Sequence, residues 1–258
     1  MNAEAMKVVI LCGGMGTRAY PYTTRIPKAL MPVAGLPIVE QVMRIYADQG
    51  FDEFVLAGGH LKDDIERYFD ARSRWKVDVV DTGDASATGE RVRRCLDYVG
   101  DHFHATYCDG LGDVDLRALT RAHLARGGAT MTTVQLRSQY GIVQTDEEGR
   151  IVGFLEKPVL PDRWINAGFF VFDRDAYEHS AGDDLERDVL PALAERRALH
   201  VHEHYGFWRS MDTFKDQQEL DGLWAPYSGE LDRRLGYDDP DTAPDWLIER
   251  YQLVSEGI

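Results

Sequence analysis

Apolar residues in the first half of the chain fall in short unbroken runs, separated by stretches with helical period. Val8-Val9-Ile10-Leu11, Phe54-Val55-Leu56-Ala57, Val77-Asp78-Val79-Val80, Phe103 to Tyr107 and Ala129 to Leu136 read as strands, short and rich in β-branched or aromatic residues. Between them Ile38, Val42, Ile45 and Tyr46 recur at helical spacing until Gly50 stops the helix, and Lys62 to Phe69, Arg91 to Val99 and Leu116 to Ala125 read as further helices. This alternation predicts an α/β fold with a doubly wound, mostly parallel sheet covered by helices on both faces.

The second half changes character. Tyr140 to Gln144 and Ile151 to Leu155, joined by Asp146-Glu147-Glu148-Gly149, form a hairpin pattern, and Ala167 to Phe172 is another apolar strand. A smaller mixed or antiparallel region is therefore expected. A helix is expected over Thr213 to Leu223, and Ala225-Pro226-Tyr227-Ser228-Gly229 breaks the pattern. The organisation expected is one domain over 1–225, its halves at about 6–136 and 137–225, then a helical C-terminal tail over 226–258. Met1 to Ala5 reads as a short polar lead.

Composition narrows the possibilities. A chain of 258 residues with 44% hydrophobic and 28% charged residues can bury a substantial core without disulfides. Cys12, Cys95 and Cys108 are odd in number and lack metal-type spacing, which suits reduced thiols in a core. No apolar run approaches the ~20 residues of a membrane span, and no signal-peptide core is visible, so a cytoplasmic location is expected. A formal net charge of −15 argues against nucleic-acid or anionic-membrane partners, although not against a single bound nucleotide.

The run Val8 to Leu11 ends in Cys12-Gly13-Gly14-Met15-Gly16-Thr17-Arg18, with Pro27-Lys28 a short distance further along the chain. Glycines at a strand end let backbone N–H groups approach an oxyanion, and Arg18 and Lys28 add the charge a polyphosphate needs. Gly14 to Ala19 also fits G-x-G-x-x-A, the dinucleotide fingerprint. That reading fails at the next segment, because Tyr20 to Pro27 carries two prolines instead of opening a helix. The loop G-x-x-x-x-G-K-[ST] of the P-loop enzymes is absent.

G-G-x-G-T-R with P-K about ten residues later resembles the signature of the sugar-1-phosphate nucleotidylyltransferases, which join a nucleoside triphosphate to a sugar 1-phosphate. The resemblance implies a Rossmann-like fold with a nucleotide-binding first half and a sugar-phosphate acceptor second half. It implies that Arg18 and Lys28 contact the triphosphate, and that Leu11, Gly13, Gly14, Gly16, Thr17, Gly58, Thr82, Thr88 and Gly89 line the nucleotide site. Such chemistry needs no catalytic base, since a phosphate monoester is largely ionised near neutral pH. It needs positioning and charge neutralisation, normally by a divalent cation with Lys or Arg.

Carboxylates at strand ends are then the candidates. Asp109 comes just after the strand ending at Tyr107, where ligands sit in such sheets. The family's G-D-G aspartate, matched by Asp109, binds Mg²⁺; this chain carries Cys108 at the first glycine. Asp212 in Trp208-Arg209-Ser210-Met211-Asp212-Thr213 resembles the family's second metal aspartate, with a helix N-cap as its structural alternative. The resemblance further places Tyr140, Gly141, Glu156, Lys157, Asn166 and Gly168 around the sugar phosphate.

Val80 to Arg91, with Gly206-Phe207-Trp208 and Met211-Asp212-Thr213, looks most like the glucose-1-phosphate cytidylyltransferase branch, implying CTP and α-D-glucose 1-phosphate. Relatives using GTP, dTTP or UTP with a heptose or cyclitol phosphate are the alternative, and a non-catalytic nucleotide-sugar sensor is a third. The chain departs from that branch at Arg25-Ile26-Pro27-Lys28, which lacks a second Lys-Pro pair, and in a shorter stretch from Gly58 to Val77. A homo-oligomer is expected, with the Trp208 and Trp224 regions and the tail as contact surfaces. His102 and His104, and His200, His202 and His204, alternate along strands and raise a zinc reading. No companion ligand spacing completes it, so they read as half-exposed strand histidines.

Overall fold

A parallel strand in mid-sheet is covered on both faces, so it must be apolar at every position. β1 (Val8–Leu11) meets that condition, with all four residues buried. The computed structural model describes residues 6–237 and 243–255. The expected polar lead at Met1 to Ala5 lies outside them. After β1 the chain makes three short 3₁₀ turns and a two-residue ribbon, β2 (Pro32–Val33) with β3 (Leu36–Pro37), before α1 (Ile38–Ala47). Next come β4 (Glu53–Gly58), α2 (Lys62–Arg72), β5 (Lys76–Asp81), α3 (Thr88–Arg94), β6 (His102–Tyr107), β7 (Gly110–Gly112), α4 (Leu116–Leu124) and β8 (Ala129–Arg137). The second half contains β9 (Ile142–Thr145), β10 (Ile151–Leu155), β11 (Val159–Asp173), α5 (Arg174–Glu178), a π-turn at Leu185–Val189, α6 (Leu190–Glu195), β12 (Leu199–His204), β13 (Trp208–Ser210), α7 (Phe214–Leu235) and α8 (Asp245–Ser255).

Seven strands form one sheet in the order β12-β8-β11-β6-β1-β4-β5. β1 pairs in parallel with β4 on one side and β6 on the other, and β11 alone runs antiparallel to its neighbours. The predicted mostly parallel, doubly wound sheet is the observed one. Strand order reverses between β1 and β6, so their carboxyl ends open onto the crevice where such sheets bind ligands. Side chains of β1 alternate between two cores. Val8, Ile10 and Cys12 join the layer formed by α1, α2, α4, α7 and α8; Val9 and Leu11 join the layer of α3, the π-turn and α6.

Several boundaries differ from the sequence reading, each for a tertiary reason. α3 starts at Thr88, not Arg91, because Gly89 leaves room for the Asp183 carbonyl, which accepts from the Glu90 N–H at 2.8 Å. It stops at Arg94 and tightens into a 3₁₀ turn at Leu96–Tyr98, so the helix predicted through Val99 is shorter. β11 begins eight residues before the apolar run at Ala167. Its polar first part pairs with β8 through two register shifts, which the irregular pattern hid. The largest correction concerns Pro226. α7 runs unbroken through it, and the boundary read at 225/226 falls inside this helix. Leu220, Trp224, Ser228 and Leu231 lie on its buried face while Pro226 is exposed, so the missing hydrogen bond falls on the solvent side. Helix α8 buries Leu247 in the same core layer and stacks Tyr251 on Tyr22.

α7 is anchored to α1 by charge as well as by apolar surface. Arg44 is fully buried and pairs with Asp232 at 2.5 Å, and the Trp224 indole donates to Gln41 Oε1 at 3.1 Å. Removing one partner strands a buried charge, whereas replacing both by apolar groups does not. Asp232→Ala should therefore lower the unfolding free energy by about 3 kcal/mol, and the double variant Arg44→Met/Asp232→Leu should recover most of the loss, both read by urea unfolding.

Candidate active site

The site is built at the carboxyl ends of β1, β4, β5 and β6. After β1 the chain turns at Gly16 with φ +59°, a left-handed geometry suited to glycine, and Thr23 Oγ1 donates to the Gly16 carbonyl at 3.0 Å. This turn presents Thr17 and Arg18 on a short 3₁₀ segment, Arg18 largely exposed. The third 3₁₀ turn, at Lys28–Leu30, brings Lys28 back beneath the loop.

Lys28 is the electrostatic centre. Its Nζ lies 2.5 Å from Asp109 Oδ2 and 3.5 Å from Asp212 Oδ1, and Arg18 reaches the same Asp212 oxygen at 3.0 Å. Burial works against the ammonium, but the Asp109 carboxylate beside it outweighs that and raises its pKa above the usual lysine value. Four residues far apart in sequence thus share one charge cluster. Asp109 is placed by β6, and Asp212 by the antiparallel pairing of β7 with β13, whose Trp208 lies opposite Gly112. The Met211 N–H also donates to the Asp109 carbonyl at 2.9 Å, tying the two aspartates' backbones together. Asp212 does not cap α7; that role falls to Thr213, in a capping box with Asp216.

Two cavities meet at this cluster. One, of about 680 Å³, is lined by Leu11, Gly13, Gly14, Gly16, Thr88 and Asn166 among others; a wider one, of about 990 Å³, is lined by Lys157, Arg137, Ser138 and Tyr205 among others. Arg18 and Asp212 belong to both, and Lys28 and Asp109 to the first. Gly58 and Thr82 stand behind the wall instead of lining it. Their link is Arg91, nearly fully buried, which donates to the carbonyls of Gly58, Gly83 and Asp84 and, at 2.6 Å, to Thr82 Oγ1. Burial lowers the pKa of this guanidinium. Gly89 is buried under the 183–185 segment, and Gly168, φ +81°, lets the Tyr107 ring pass where a Cβ would stand.

Tyr140, Gly141 and Glu156 lie on the β9–β10 hairpin, outside the lining of either cavity, with Tyr140 79% exposed. Sequence reasoning missed Glu186. Its carboxylate accepts from Thr88 Oγ1 at 2.8 Å and from the Tyr107 hydroxyl, whose pKa is raised first by burial and then by this carboxylate. Asn166 Nδ2 donates to the same Tyr107 oxygen at 3.2 Å, so one network joins the two walls of the smaller cavity. No motif announces Glu186, which reaches the site through a π-turn. The predicted metal-binding pair fits a hard cation by chemistry: two carboxylates converge on a point already held by positive charge.

Gly13 has a constraint of its own. A Cβ there would lie 2.0 Å from Arg91 Nη1, and that guanidinium is fixed by its four acceptors. Gly13→Ala should destabilise the protein by about 1–3 kcal/mol and cut turnover at least tenfold. In Gly13→Ala/Arg91→Ala the stability cost of the alanine should vanish relative to Arg91→Ala alone, as measured by thermal unfolding and pyrophosphate release.

Comparison with known proteins agrees with this architecture. Residues 7–216 match the family model described as nucleotidyl transferase. The chain is 35% identical over 247 residues, 85% of its length and 96% of the relative, to the glucose-1-phosphate cytidylyltransferase of Salmonella typhi. It is 31% identical over 255 residues, 89% of its length and 64% of the relative, to the UTP–glucose-1-phosphate uridylyltransferase of Synechocystis sp.. The crystal structure of HddC from Yersinia pseudotuberculosis complexed with GMP-PN is similar in fold, with a TM-score of 0.67 at 20% identity over 85% of this chain and 99% of that one. With the family model covering most of the chain and its motifs gathered in the crevice between β1 and β6, the protein belongs to the sugar-1-phosphate nucleotidylyltransferases.

Proposed function

We propose that this enzyme transfers a cytidylyl group from CTP to α-D-glucose 1-phosphate, giving CDP-glucose and pyrophosphate by direct in-line displacement at the α-phosphorus with inversion there. The observation that carries the reading is the Lys28 ammonium held between Asp109 and Asp212 where the two cavities meet. A triphosphate seated against Gly13, Gly14 and Gly16 in the smaller cavity, with Thr17 outside its lining, would present its phosphates to Arg18 and Lys28. The sugar phosphate would enter from the wider cavity, its phosphate drawn by Lys157 on that wall and its ring reaching towards Asn166 on the wall of the smaller one, while Tyr140, Gly141, Glu156 and Gly168 line neither cavity.

Arg18 is paired with Asp212 yet largely exposed, so a polyanion can draw it away at little cost. Lys28 is more enclosed and remains as a fixed charge beneath the loop. Asp109 and Asp212 would hold Mg²⁺, which when bound neutralises charge on the phosphate oxygens. The nucleophilic phosphate oxygen carries its own charge, so these residues position and stabilise without abstracting a proton. The base contact falls to Thr88 and the loop backed by Arg91, Thr82 and Gly58. Cytosine is favoured by the 35% identity to the cytidylyl relative. The uridylyl relative makes another base the second reading.

Pyrophosphate release, measured for CTP, UTP, GTP, dTTP and ATP against hexose, heptose and cyclitol 1-phosphates, should be fastest for CTP with glucose 1-phosphate. A different best pair would move the specificity and keep the chemistry; no release from any pair would overturn the proposal. Asp109→Ala should lower kcat by at least about 100-fold in a protein that still unfolds cooperatively, and normal turnover in that variant would refute the cation assignment.

A further inference from the structure

The end of the sheet opposite the crevice holds a second group of side chains with no part in the proposed chemistry. His102 opens β6, Asp173 closes β11 as its register partner, and His123 lies on α4 above them. Asp173 Oδ1 accepts from His102 Nδ1 at 2.6 Å and from His123 Nε2 at 2.9 Å, and the three ligand atoms lie within 4.8 Å of one another. Among the described residues this is the group in which three such donors converge. His104, on the same strand face, is engaged one turn back along α4 by Thr120 at 3.0 Å, so it takes no part. His102 and Asp173 come from strand positions that the alternating histidines suggested only in part. The completing ligand, His123, sits on a helix and has no metal-type spacing to either.

We infer that His102, His123 and Asp173 form a binding site for a borderline divalent transition ion of the Zn²⁺ or Co²⁺ class. Two imidazoles and one carboxylate are the donor set such ions prefer, and a hard ion such as Mg²⁺ does not seek imidazole. The outer partners are in place as well. Gly128 N–H donates to Asp173 Oδ2 at 2.5 Å, which aims Oδ1 inward, and Thr130 Oγ1 lies 3.3 Å from His123 Nδ1. When His102 Nδ1 and His123 Nε2 turn to a metal, each neutral ring carries its proton on the other nitrogen, and His123 Nδ1–H then donates to Thr130. The His123 side chain is fully buried while those of His102 and Asp173 are about a quarter exposed, so water can complete the coordination from one side. Along β6 this point is about 17 Å from the strand's catalytic end, so an ion here would clamp β6, β11 and α4 without entering the proposed active site.

Zn²⁺ affinity should be measured on the full-length protein by competition with a chromophoric chelator, with Co²⁺ substitution read by visible absorption. Expected are binding at one equivalent, intense Co²⁺ bands of low coordination number, and a thermal midpoint that rises with added Zn²⁺. His102→Ala should weaken Zn²⁺ at least about tenfold and leave pyrophosphate release in Mg²⁺ unchanged. His200→Ala, a neighbouring imidazole outside the set, should bind as the parent does. X-ray absorption of the Zn²⁺-loaded parent needs no variant and should show two imidazole ligands in the first shell. Affinity unaltered in His102→Ala, a shell without two imidazoles, or no binding below millimolar Zn²⁺ would each overturn the proposal.

Discussion

Two carboxylates facing each other across a cavity wall repel each other unless a cation lies between them, and in this protein that cation is the ammonium of Lys28. Its contacts to Asp109 and Asp212 draw together the turn after β1, the end of β6 and the segment entering α7. The sheet topology makes the meeting possible. β1 has β4 on one side and β6 on the other, so everything that leaves its carboxyl end faces what leaves β6. Arg18 adds a looser second tie to Asp212. The charge cluster therefore belongs equally to the fold and to the site: it lies where the two cavities meet, and a bound metal ion would compete with the Lys28 ammonium for the Asp109 and Asp212 oxygens.

Behind that front lies a second, neutralised layer. Arg91 has its charge spread over three carbonyls and one hydroxyl, and those acceptors belong to the ends of β4 and β5 and the loops beyond them. A single buried guanidinium thus shapes that wall of the smaller cavity. Glu186 does the corresponding work across the cavity, accepting from Thr88 on α3 and from Tyr107 at the end of β6. A buried polar group such as Arg91 is costly when partly satisfied and rigid when fully satisfied. The glycine loop can be open and thin because its supports are stiff.

The carboxyl-end crevice and the opposite end of the sheet also differ in chemistry. At the crevice the partners are lysine, arginine and carboxylate, suited to phosphate and hard cations. At the other end two imidazoles share one carboxylate oxygen. β6 carries both, His102 at its start and Asp109 just past its end, separated by a buried run that insulates one from the other. The α7 and α8 helices lie across α1 and the 3₁₀ turns of the first half, so the C-terminal part of the chain stabilises the elements that carry Lys28.

What the sequence determined by itself is the set of features whose cause is local. Unbroken apolar runs such as Val8 to Leu11 specify parallel strands buried on both faces, and Gly13, Gly14 and Gly16 specify a turn thin enough to meet an oxyanion. The motifs around Arg18, Lys28, Asp109 and Asp212 carried the resemblance to the family, and each is a short local pattern that can be read without knowing the fold. What only the tertiary structure decided depends on partners distant in the chain. Pro226 stays inside a helix because one face of α7 is buried by Leu220, Trp224 and Leu231, and that burial outweighs one missing hydrogen bond. Glu186 reaches Thr88 and Tyr107 only once the π-turn packs on α3, and His123 meets His102 and Asp173 only once α4 lies on the sheet. No pattern of nearest neighbours records such contacts, since their energy comes from burial and pairing that exist only after the chain has closed on itself.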